Sequence, residues 1–559
     1  MRRLLSAGLA LLLLAGCSHE TKVTVSEAFS DCSTSPNECN GGATGSGGTL
    51  TYAVARPVSG WNLNDADANS LETAQVLAGV LPAAFVTHPD LSTTPNPDLL
   101  ESAEQISAAP QVIEYRIRAE AVWDDGTPIT GNDFVYAWRT QNGVDCTECA
   151  AASTAGYDRI ANIRSENTGR TVTVTFATPF ADWRSLFGTL YPSHVALAKG
   201  GTTLAASWKW FNDTVPTWSG GPYKVAAQVP EESVTLVPNA RWYGRTRPAL
   251  DKMVFRVISD PAAAVTALRN DEVQAIYPQA TPDTLRTVEG LSEVDHVVTP
   301  GLGWEHLDVN LANPLLADAA LRRAIFTAID RRAIIEKTVG GVDPDLKPLG
   351  SHNYVPSQSG YRDVVTAAGQ GYGDVTTARR LLVEAGYSGV GTSLSNAGGT
   401  RIDLRVSYAA GNDQRRQIAE VIQVQLSELG ITTKITPVEE FGRTITTGDF
   451  DLILFAWTGA PFPTANALQT WASDGGGNYG GYRNPVVDDL LKQAAAETDP
   501  DRTAVLLNQS DALLTDDAYV LPLFQRPTLL AVNHRFVNVR DNPAGTGPLY
   551  NVAEWGLRR

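Results

Sequence analysis

Residues 114–138 read EYRIRAEAVWDDGTPITGNDFVYAW, and this stretch decides the fold. Tyr115 and Ile117 alternate with charged residues, which predicts a short strand. The Asp-Asp-Gly-Thr-Pro run that follows predicts a turn, after which Thr130 or Asn132 can cap a helix. The stretch holds neither a nucleophile with a base nor residues at metal-ligand spacing. We therefore expect it to build a scaffold and not a chemical centre.

The first 17 residues have the layout of a lipoprotein signal. Arg2 and Arg3 form a positive region, and residues 4–14 form an apolar core that is too short to remain as a membrane span. The Leu-Ala-Gly-Cys run that ends at Cys17 resembles the bacterial lipobox, in which the cysteine is lipidated. An ordinary secretory signal with an incidental cysteine is the alternative. We expect an extracytoplasmic protein, anchored by lipidated Cys17 to the outer face of the cell membrane.

The rest of the chain has the composition of a large acidic protein. No later apolar run has membrane-spanning length, so the remainder is expected to be soluble. The 559 residues are too many for one core and predict two or three domains. The formal net charge is -17 at pH 7. This acidity argues against nucleic acid as a partner.

Four cysteines follow Cys17, in two local couples. Cys32 with Cys39 and Cys146 with Cys149 are each expected to form a disulfide, in keeping with an oxidising compartment. Three connectivities are formally possible. A zinc site from all four, or a redox Cys-x-x-Cys, is the alternative, but no strand leads into Cys146. We expect no metal and no cofactor.

The composition changes at Thr49. Residues 18–48 are rich in Ser, Thr, Gly and Asn, which predicts a flexible tether. From Thr49 onward strands alternate with helices, which favours an α/β fold. Residues 414–429 carry one apolar helical face and end at Gly430. The apolar run 452–456 is typical of a central strand buried on both faces.

Six segments resemble, in order, the signature segments of one bacterial receptor family. They are residues 114–138, 220–225, 239–243, 318–331, 378–387 and 449–457. Together they resemble the extracytoplasmic solute-binding proteins, family 5, whose members serve peptide, nickel and oligosaccharide importers. Each segment alone is weak evidence for the resemblance, whereas six in the same order are strong evidence.

The resemblance implies a two-lobed periplasmic-binding-protein fold of type II with an additional small α+β domain. By analogy, lobe I comprises residues 49–80, 218–300 and 515–559. The extra domain is 81–217, away from the cleft, and lobe II is 301–514. The lobes would close on a solute by hinge motion. The partners implied are a small-molecule solute (a peptide, an oligosaccharide or a glycolipid head group) and ABC permease and ATPase subunits.

A binding cleft is predicted where the strand at 452–456 ends. Ligands of open α/β sheets bind beyond the carboxyl ends of strands, which places Trp457, Thr458, Gly459 and Ala460 there. In the family's peptide receptors an aspartate after the tryptophan pairs with the ligand's α-amino group, whereas this chain has Ala460. An ammonium without a carboxylate is costly to bury. We expect a departure from ordinary peptide recognition, unless Glu72 supplies the charge. The loop lacks histidine, which disfavours nickel.

Aromatic and amide side chains suggest another recognition chemistry. Trp304, Asn310 and Tyr482 are predicted to join Trp457 in lobe II. Flat rings and amides suit sugar rings or amphipathic head groups. Each aromatic taken alone is more often a core residue than a ligand platform.

Two further sets of residues follow from the resemblance. Ser70, Glu72 and Thr73 match a segment that contacts ligand backbone in the family's peptide receptors. Arg322 and Arg331 match a family helix and are predicted to pair on a helix surface without touching ligand.

The sequence favours a receptor and not an enzyme. It contains no Gly-x-Ser-x-Gly, no His-Glu-x-x-His and no Walker-type loop, and its seven histidines are scattered. The leading hypothesis is the lipid-anchored solute receptor of an ABC importer. The alternative is a non-transport envelope lipoprotein that binds a glycolipid or regulates cell-envelope assembly. Residues 59–62 and 181–184 resemble segments of an actinobacterial branch of lipoproteins, and that branch includes an envelope factor of this kind.

Overall fold

A computed structural model of the protein describes residues 26–559. Cys17, the predicted signal at 1–17 and residues 18–25 of the predicted tether lie outside the described residues. Within the described part, no helix is both long and apolar enough to cross a membrane.

Strands and helices alternate along the described chain. The strands are β1 Thr44–Gly45, β2 Thr49–Val54, β3 Phe85–Thr87, β4 Thr93–Pro95, β5 Leu100–Ala108, β6 Gln111–Ile117, β7 Ile160–Glu166, β8 Thr171–Phe176, β9 Tyr223–Val229, β10 Ser233–Pro238, β11 Lys252–Val257, β12 Ala275–Ile276, β13 Val294–Val309, β14 Asp403–Ala409, β15 Thr432–Val438, β16 Leu452–Trp457, β17 Val520–Asn533, β18 Phe536–Val537 and β19 Gly556–Arg558. The helices are α1 Leu71–Leu77, α2 Gly131–Gln141, α3 Ser193–Lys199, α4 Leu204–Asp213, α5 Pro261–Arg269, α6 Pro282–Glu289, α7 Ala319–Ala328, α8 Arg331–Thr338, α9 Val364–Ala367, α10 Val375–Glu384, α11 Asp413–Ser427, α12 Phe441–Thr447, α13 Pro463–Trp471, α14 Pro485–Ala496 and α15 Pro500–Asp516.

A single mixed sheet passes through both lobes. Its ten strands run in the order β15-β14-β16-β13-β17-β12-β2-β11-β10-β9. The long strands β13 and β17 pair antiparallel from Val294 opposite Asn533 to Asp308 opposite Val520. Strands β14 to β16 extend the sheet in lobe II, and β2 with β9 to β12 extend it in lobe I. The two long strands therefore carry the connection between the lobes.

The ladder between β13 and β17 is interrupted at its centre. Its register shifts between Pro300 and Trp304, whose partners are Pro527 and Gln525. Proline cannot donate a ladder hydrogen bond, and an irregular register lets paired strands bend. This interruption is the structural candidate for the hinge.

The hinge position corrects one predicted domain boundary. The strand residues Leu521 and Phe524 are buried in the core of lobe II, whereas Leu529 and Ala531 are buried in lobe I. Residues 515–524 therefore belong to lobe II, because the chain changes lobes inside β17 and not ahead of it. The sequence could not show this, since β17 is apolar on both sides of the crossing.

Residues 114–138 fold largely as predicted. It forms β6, a turn and α2, and Thr130 is the helix cap. The Thr130 hydroxyl accepts from the Asn132 amide, and the Asp133 carboxylate accepts from the Thr130 amide at 2.9 Å. Such a capping box stabilises a helix start by about 1 kcal/mol. Tyr115 and Phe134 are fully buried.

The extra domain shares its core with lobe I. Its sheet has the order β5-β6-β8-β7 and carries α2, α3 and α4. Tyr115 and Phe187 of this domain belong to the same buried cluster as Tyr52 and Phe255 of lobe I. A continuous core resists relative motion, because sliding would expose packed apolar surface. The extra domain and lobe I therefore move together.

Residues 26–48 are packed on lobe I, which makes the tether prediction wrong for them. Phe29 is buried in the lobe I core. The Asn40 side chain donates to the Val539 carbonyl at 2.8 Å, and β1 pairs with β19 through Thr44 and Arg558. Gly- and Ser-rich composition hid these contacts, since their partners lie at the far end of the chain.

Both disulfides join neighbours in the sequence. Cys32 is bonded to Cys39 on lobe I, and Cys146 to Cys149 beside Trp208 in the extra domain. Because every one of these sulfurs is bonded to another, they are not available as zinc thiolates.

Candidate functional site

The predicted binding loop leaves β16 at the hinge. Trp457 is the strand partner of Trp304. The Gly459 amide donates to the Leu302 carbonyl at 3.1 Å, and a Cβ on Gly459 would lie 2.2 Å from that oxygen, so a side chain does not fit there. The carbonyl of Ala460 accepts from the Gln358 side chain at 3.2 Å. The loop is therefore anchored before it enters the interlobe space.

Beyond Ala460 the loop reaches a cavity of about 910 Å³. This size falls within the usual range for small-molecule sites. All three parts of the protein line it, including Ala74, Leu77 and Ala78 of lobe I, Arg184, Ser185 and Thr189 of the extra domain, and Pro461 and Phe462 of lobe II. Because lobe I and lobe II both line it, this cavity is the candidate site.

Arg184 is a cation of this cavity without a carboxylate partner among residues 26–559. Its guanidinium carbon lies 4.3 Å from the centre of the Trp183 ring, which restricts its orientation. Burial lowers the pKa of the Arg184 guanidinium. A partly desolvated cation gains when an anion joins it. Arg184 as a whole is exposed, so its guanidinium is accessible from the cavity.

The cavity also has carboxylates in its wall. Glu554 forms an ion pair with Arg540, and Asp98 accepts from the Arg245 amide at 2.8 Å. Glu38 lines the cavity as well. None of these carboxylates forms an ion pair with Arg184. The wall therefore offers groups of both signs.

A second group of charges lies at the hinge. Glu305 is 1% exposed, and its carboxylate accepts from Arg415 at 3.0 and 3.1 Å. Arg526 lies 3.5 Å from the same carboxylate. Burial raises the pKa of Glu305, but the two guanidinium groups outweigh it and the pKa is lowered overall. Two guanidinium groups thus share one buried carboxylate at the hinge.

The residues predicted to contact ligand at the start of α1 bind other groups of the protein. Ser70 caps this helix by accepting from the Thr73 amide at 3.2 Å, and its hydroxyl donates to that of Thr73 at 3.0 Å. The Glu72 carboxylate binds Arg56 through two contacts of 3.2 Å. Glu72 is therefore neutralised and does not replace the carboxylate missing at Ala460. Residues one turn further along α1 line the cavity instead.

Three predicted lobe II contacts belong to the core, which corrects those predictions. Trp304 is buried among α13 to α15. Tyr482 is buried, donates to Asp517 at 2.7 Å and stacks on Tyr519. The Asn310 amide donates at 2.9 Å to carbonyls beyond α12, at the end of β13 far from the hinge. The polar groups of Tyr482 and Asn310 bind other protein groups, and Trp304 is buried.

Trp457 lies parallel to two other rings. The centre of its ring is 5.8 Å from that of His306 and 5.9 Å from that of Tyr479, with 8° between the planes in both pairs. Trp457 is partly buried, so only part of its surface can meet a solute. Thr458, the next residue, is exposed. A sugar platform at Trp457 stays a prediction.

Comparison with known proteins identifies the family. The profile of the bacterial extracellular solute-binding proteins, family 5 Middle, matches residues 94–479. The chain belongs to this family. Its members are binding proteins, so the chain is a solute-binding protein and not an enzyme. Family membership and the observed sheet confirm the predicted two-lobed α/β fold.

Relatives within family 5 carry several names. The oligopeptide-binding protein OppA of Mycobacterium tuberculosis is 32% identical over 503 residues, which cover 88% of this chain and 82% of OppA. An uncharacterized lipoprotein of the same organism is 26% identical and covers 93% of this chain and 95% of its own length. LpqW, named a probable monoacyl phosphatidylinositol tetramannoside-binding protein, is 25% identical over 66% of this chain and 60% of its own length.

A solved structure shows the same architecture over almost the whole chain. It is the periplasmic EDTA-binding protein EppA, which is 39% identical, with a TM-score of 0.90 and coverage of 94% of this chain and 99% of EppA. AppA of Bacillus subtilis, solved with a nonapeptide, shares the fold at 21% identity, with a TM-score of 0.75 and coverage of 92% and 100%.

Sequence reasoning missed Arg184 and Phe462. Residues 181–184 stood out only as a resemblance, and nothing local indicates that they face a loop from the other lobe. Phe462 lies two residues beyond the segment assigned to the cleft. An aromatic residue just before a Pro-initiated helix is a signal that could have extended that segment.

Proposed function

We propose that this protein captures a carboxylate-bearing solute in its interlobe cavity and presents it to an ABC importer. The observation that carries the proposal is Arg184, a cation in the cavity without a carboxylate partner among the described residues. Arg415 and Arg526 add positive charge at the hinge. An anionic group would supply the partner that Arg184 lacks.

The relatives support this solute class. OppA is named for oligopeptides and EppA for EDTA, and both kinds of solute carry carboxylates. The chain lacks an acidic residue at Ala460, and Glu72 is bound to Arg56. Recognition through the carboxylate end of a peptide, or through a polycarboxylate, therefore fits better than recognition through an α-amino group.

The importer role and the anchor rest on the family and the sequence. A relative that covers nearly the whole chain is named a lipoprotein, and Cys17 has the lipobox context. We propose that lipidated Cys17 holds the receptor at the outer face of the cell membrane. Separate permease and ATPase subunits would then take the solute across.

A glycolipid head group is the second candidate. Apolar side chains line part of the cavity, among them Leu77, Leu81, Phe85 and Phe462. Such a lining suits an acyl chain, and a lipid phosphate would also satisfy Arg184. The name of LpqW points to the same ligand class. If the solute is a glycolipid, the protein would act in the cell envelope without serving an importer.

Arg184→Gln tests the proposed site. Titration calorimetry would use tetra-alanine, its C-terminal amide and EDTA as probes. We expect the variant to bind the free acid and EDTA roughly 10- to 100-fold more weakly, because hydrogen bonds to charged groups contribute about 1.5–3 kcal/mol. The variant should lose any preference for the acid over the amide.

Arg116→Gln is the matched control. Arg116 is an exposed arginine of the same domain and is paired with Glu114. Its substitution should leave all three affinities unchanged. Equal affinity of the wild type and the Arg184→Gln variant for the free acid would contradict the proposed role of Arg184.

A further inference from the structure

Asp182 of the extra domain binds the start of a lobe II helix. Its carboxylate accepts from the Thr464 hydroxyl and from the Ala465 amide at 3.0 Å. Both belong to the first turn of α13, far from Asp182 in sequence. Asp182 is 6% exposed and Thr464 is fully buried, so water has little access to these contacts.

Helix α13 has no side-chain cap from its own segment. Its N-cap residue is Phe462, which makes no capping hydrogen bond. The first amides of a helix need acceptors, and neighbouring Ser, Thr, Asp or Asn residues usually supply them. Here Asp182 supplies the acceptor from another domain. The helix start is complete only while the extra domain lies against lobe II.

Helix α13 also connects two cores. Ala465 packs against the core shared by lobe I and the extra domain. Ala467 and Trp471, further along the helix, are buried in lobe II. The first turn of α13 therefore sits on the opposite side of the interlobe boundary from the rest of the helix.

Two neighbouring contacts bridge the same boundary. The Ala181 amide donates to the Ala495 carbonyl at 3.0 Å, and Arg159 donates to the same oxygen at 3.1 Å. On the lobe I side, Gln279 donates to Gln414 of lobe II at 3.0 Å. Asp182 and Arg159 are both charged members of this set. Asp182 alone binds two groups of the first turn of α13, so it is expected to hold that turn.

The binding loop lies directly before this contact. Pro461 and Phe462 line the cavity, and α13 begins at Pro463. A loop anchored at Gly459 on one side and at the first turn of α13 on the other has little freedom. Loss of the second anchor would release Phe462 from the cavity wall.

We infer that Asp182 is a positioning residue: by capping α13 across the domain boundary, it holds residues 461–462 in the cavity wall. Its effect on affinity rests on the proposed function, whereas its effect on α13 does not. The extra domain then shapes the cavity wall instead of serving only as a scaffold.

Hydrogen–deuterium exchange of the full mature chain without solute tests the contact itself. In Asp182→Ala, the Thr464 and Ala465 amides should exchange about tenfold faster, the size expected for loss of a helix cap. Asp182→Asn keeps an oxygen acceptor and should remain within about threefold of wild type. Asp213→Ala removes an exposed carboxylate of the same domain and should change nothing there. Unchanged exchange in Asp182→Ala would overturn the inference.

Affinity for tetra-alanine and EDTA tests the positioning role. We expect Asp182→Ala to bind about tenfold more weakly, with Asp182→Asn close to wild type. Faster exchange with unchanged affinity would overturn the positioning role. A third outcome is that neither wild type nor the variants bind tetra-alanine or EDTA, while Asp182→Ala still exchanges its Thr464 and Ala465 amides faster. That result would support the capping contact and contradict the proposed function.

Discussion

Arg331→Ala is expected to lower the free energy of unfolding by about 3–5 kcal/mol, because it leaves several buried carbonyls without donors and opens a cavity. Arg331 is fully buried in lobe II. Its guanidinium donates to the carbonyls of Leu349, Gly371 and Pro522. Burial lowers the pKa of Arg331 to about 10, so it stays charged at neutral pH. Truncation would leave these carbonyls buried without donors.

Thermal unfolding of the variant against wild type measures this effect. The neighbouring Arg332→Ala is the control, because Arg332 is exposed. Arg331→Lys should recover little, since one ammonium cannot reproduce the guanidinium fork. Equal unfolding temperatures for Arg331→Ala and Arg332→Ala would contradict the assigned role. The sequence placed Arg322 and Arg331 on a helix surface, whereas both are buried and bind carbonyls.

Glu305→Ala is expected to destabilise the hinge by a similar amount, about 3–5 kcal/mol, because it strands the mostly buried Arg415. The pKa of Glu305 is lowered in the folded state. Its stabilisation is therefore present above the ordinary glutamate pKa, about 4.3, and is lost as pH falls through the lower folded value. On acidification, the unfolding temperature should fall further in wild type than in Glu305→Gln, because only wild type loses the stabilisation by ionised Glu305.

Glu420→Ala is the control for the hinge prediction. Glu420 pairs with Arg416 on the exposed face of α11, and exposed pairs contribute about 0–1 kcal/mol. Its removal should shift the unfolding temperature only slightly. A Glu305→Ala protein as stable as Glu420→Ala would show that the buried ion group does not hold the hinge.

Local patterns were enough to predict much of the scaffold. The strand, turn and helix at 111–141 follow from alternation, turn residues and the cap at Thr130. The apolar run after Asp451 forms β16, between β13 and β14. Such features depend on residues close in sequence, where propensity and periodicity act.

The site depended on contacts that local patterns do not encode. Trp304 lies at the hinge and Tyr482 follows α13, and both are buried by helices that are distant from Trp304 in sequence. Arg184 and Asp182 acquire roles only because the extra domain folds onto α13. The family resemblance located the loop after Trp457, whereas the residues that face the cavity follow from tertiary packing.

Native mass spectrometry of the mature protein, purified without unfolding, tests whether the cavity holds a carboxylate-bearing solute. We expect a bound species that carries at least one carboxylate, and we expect Arg184→Gln to retain less of it than Arg116→Gln. A phosphorylated glycolipid would favour the envelope candidate over import. A neutral oligosaccharide held equally by both variants would contradict the account.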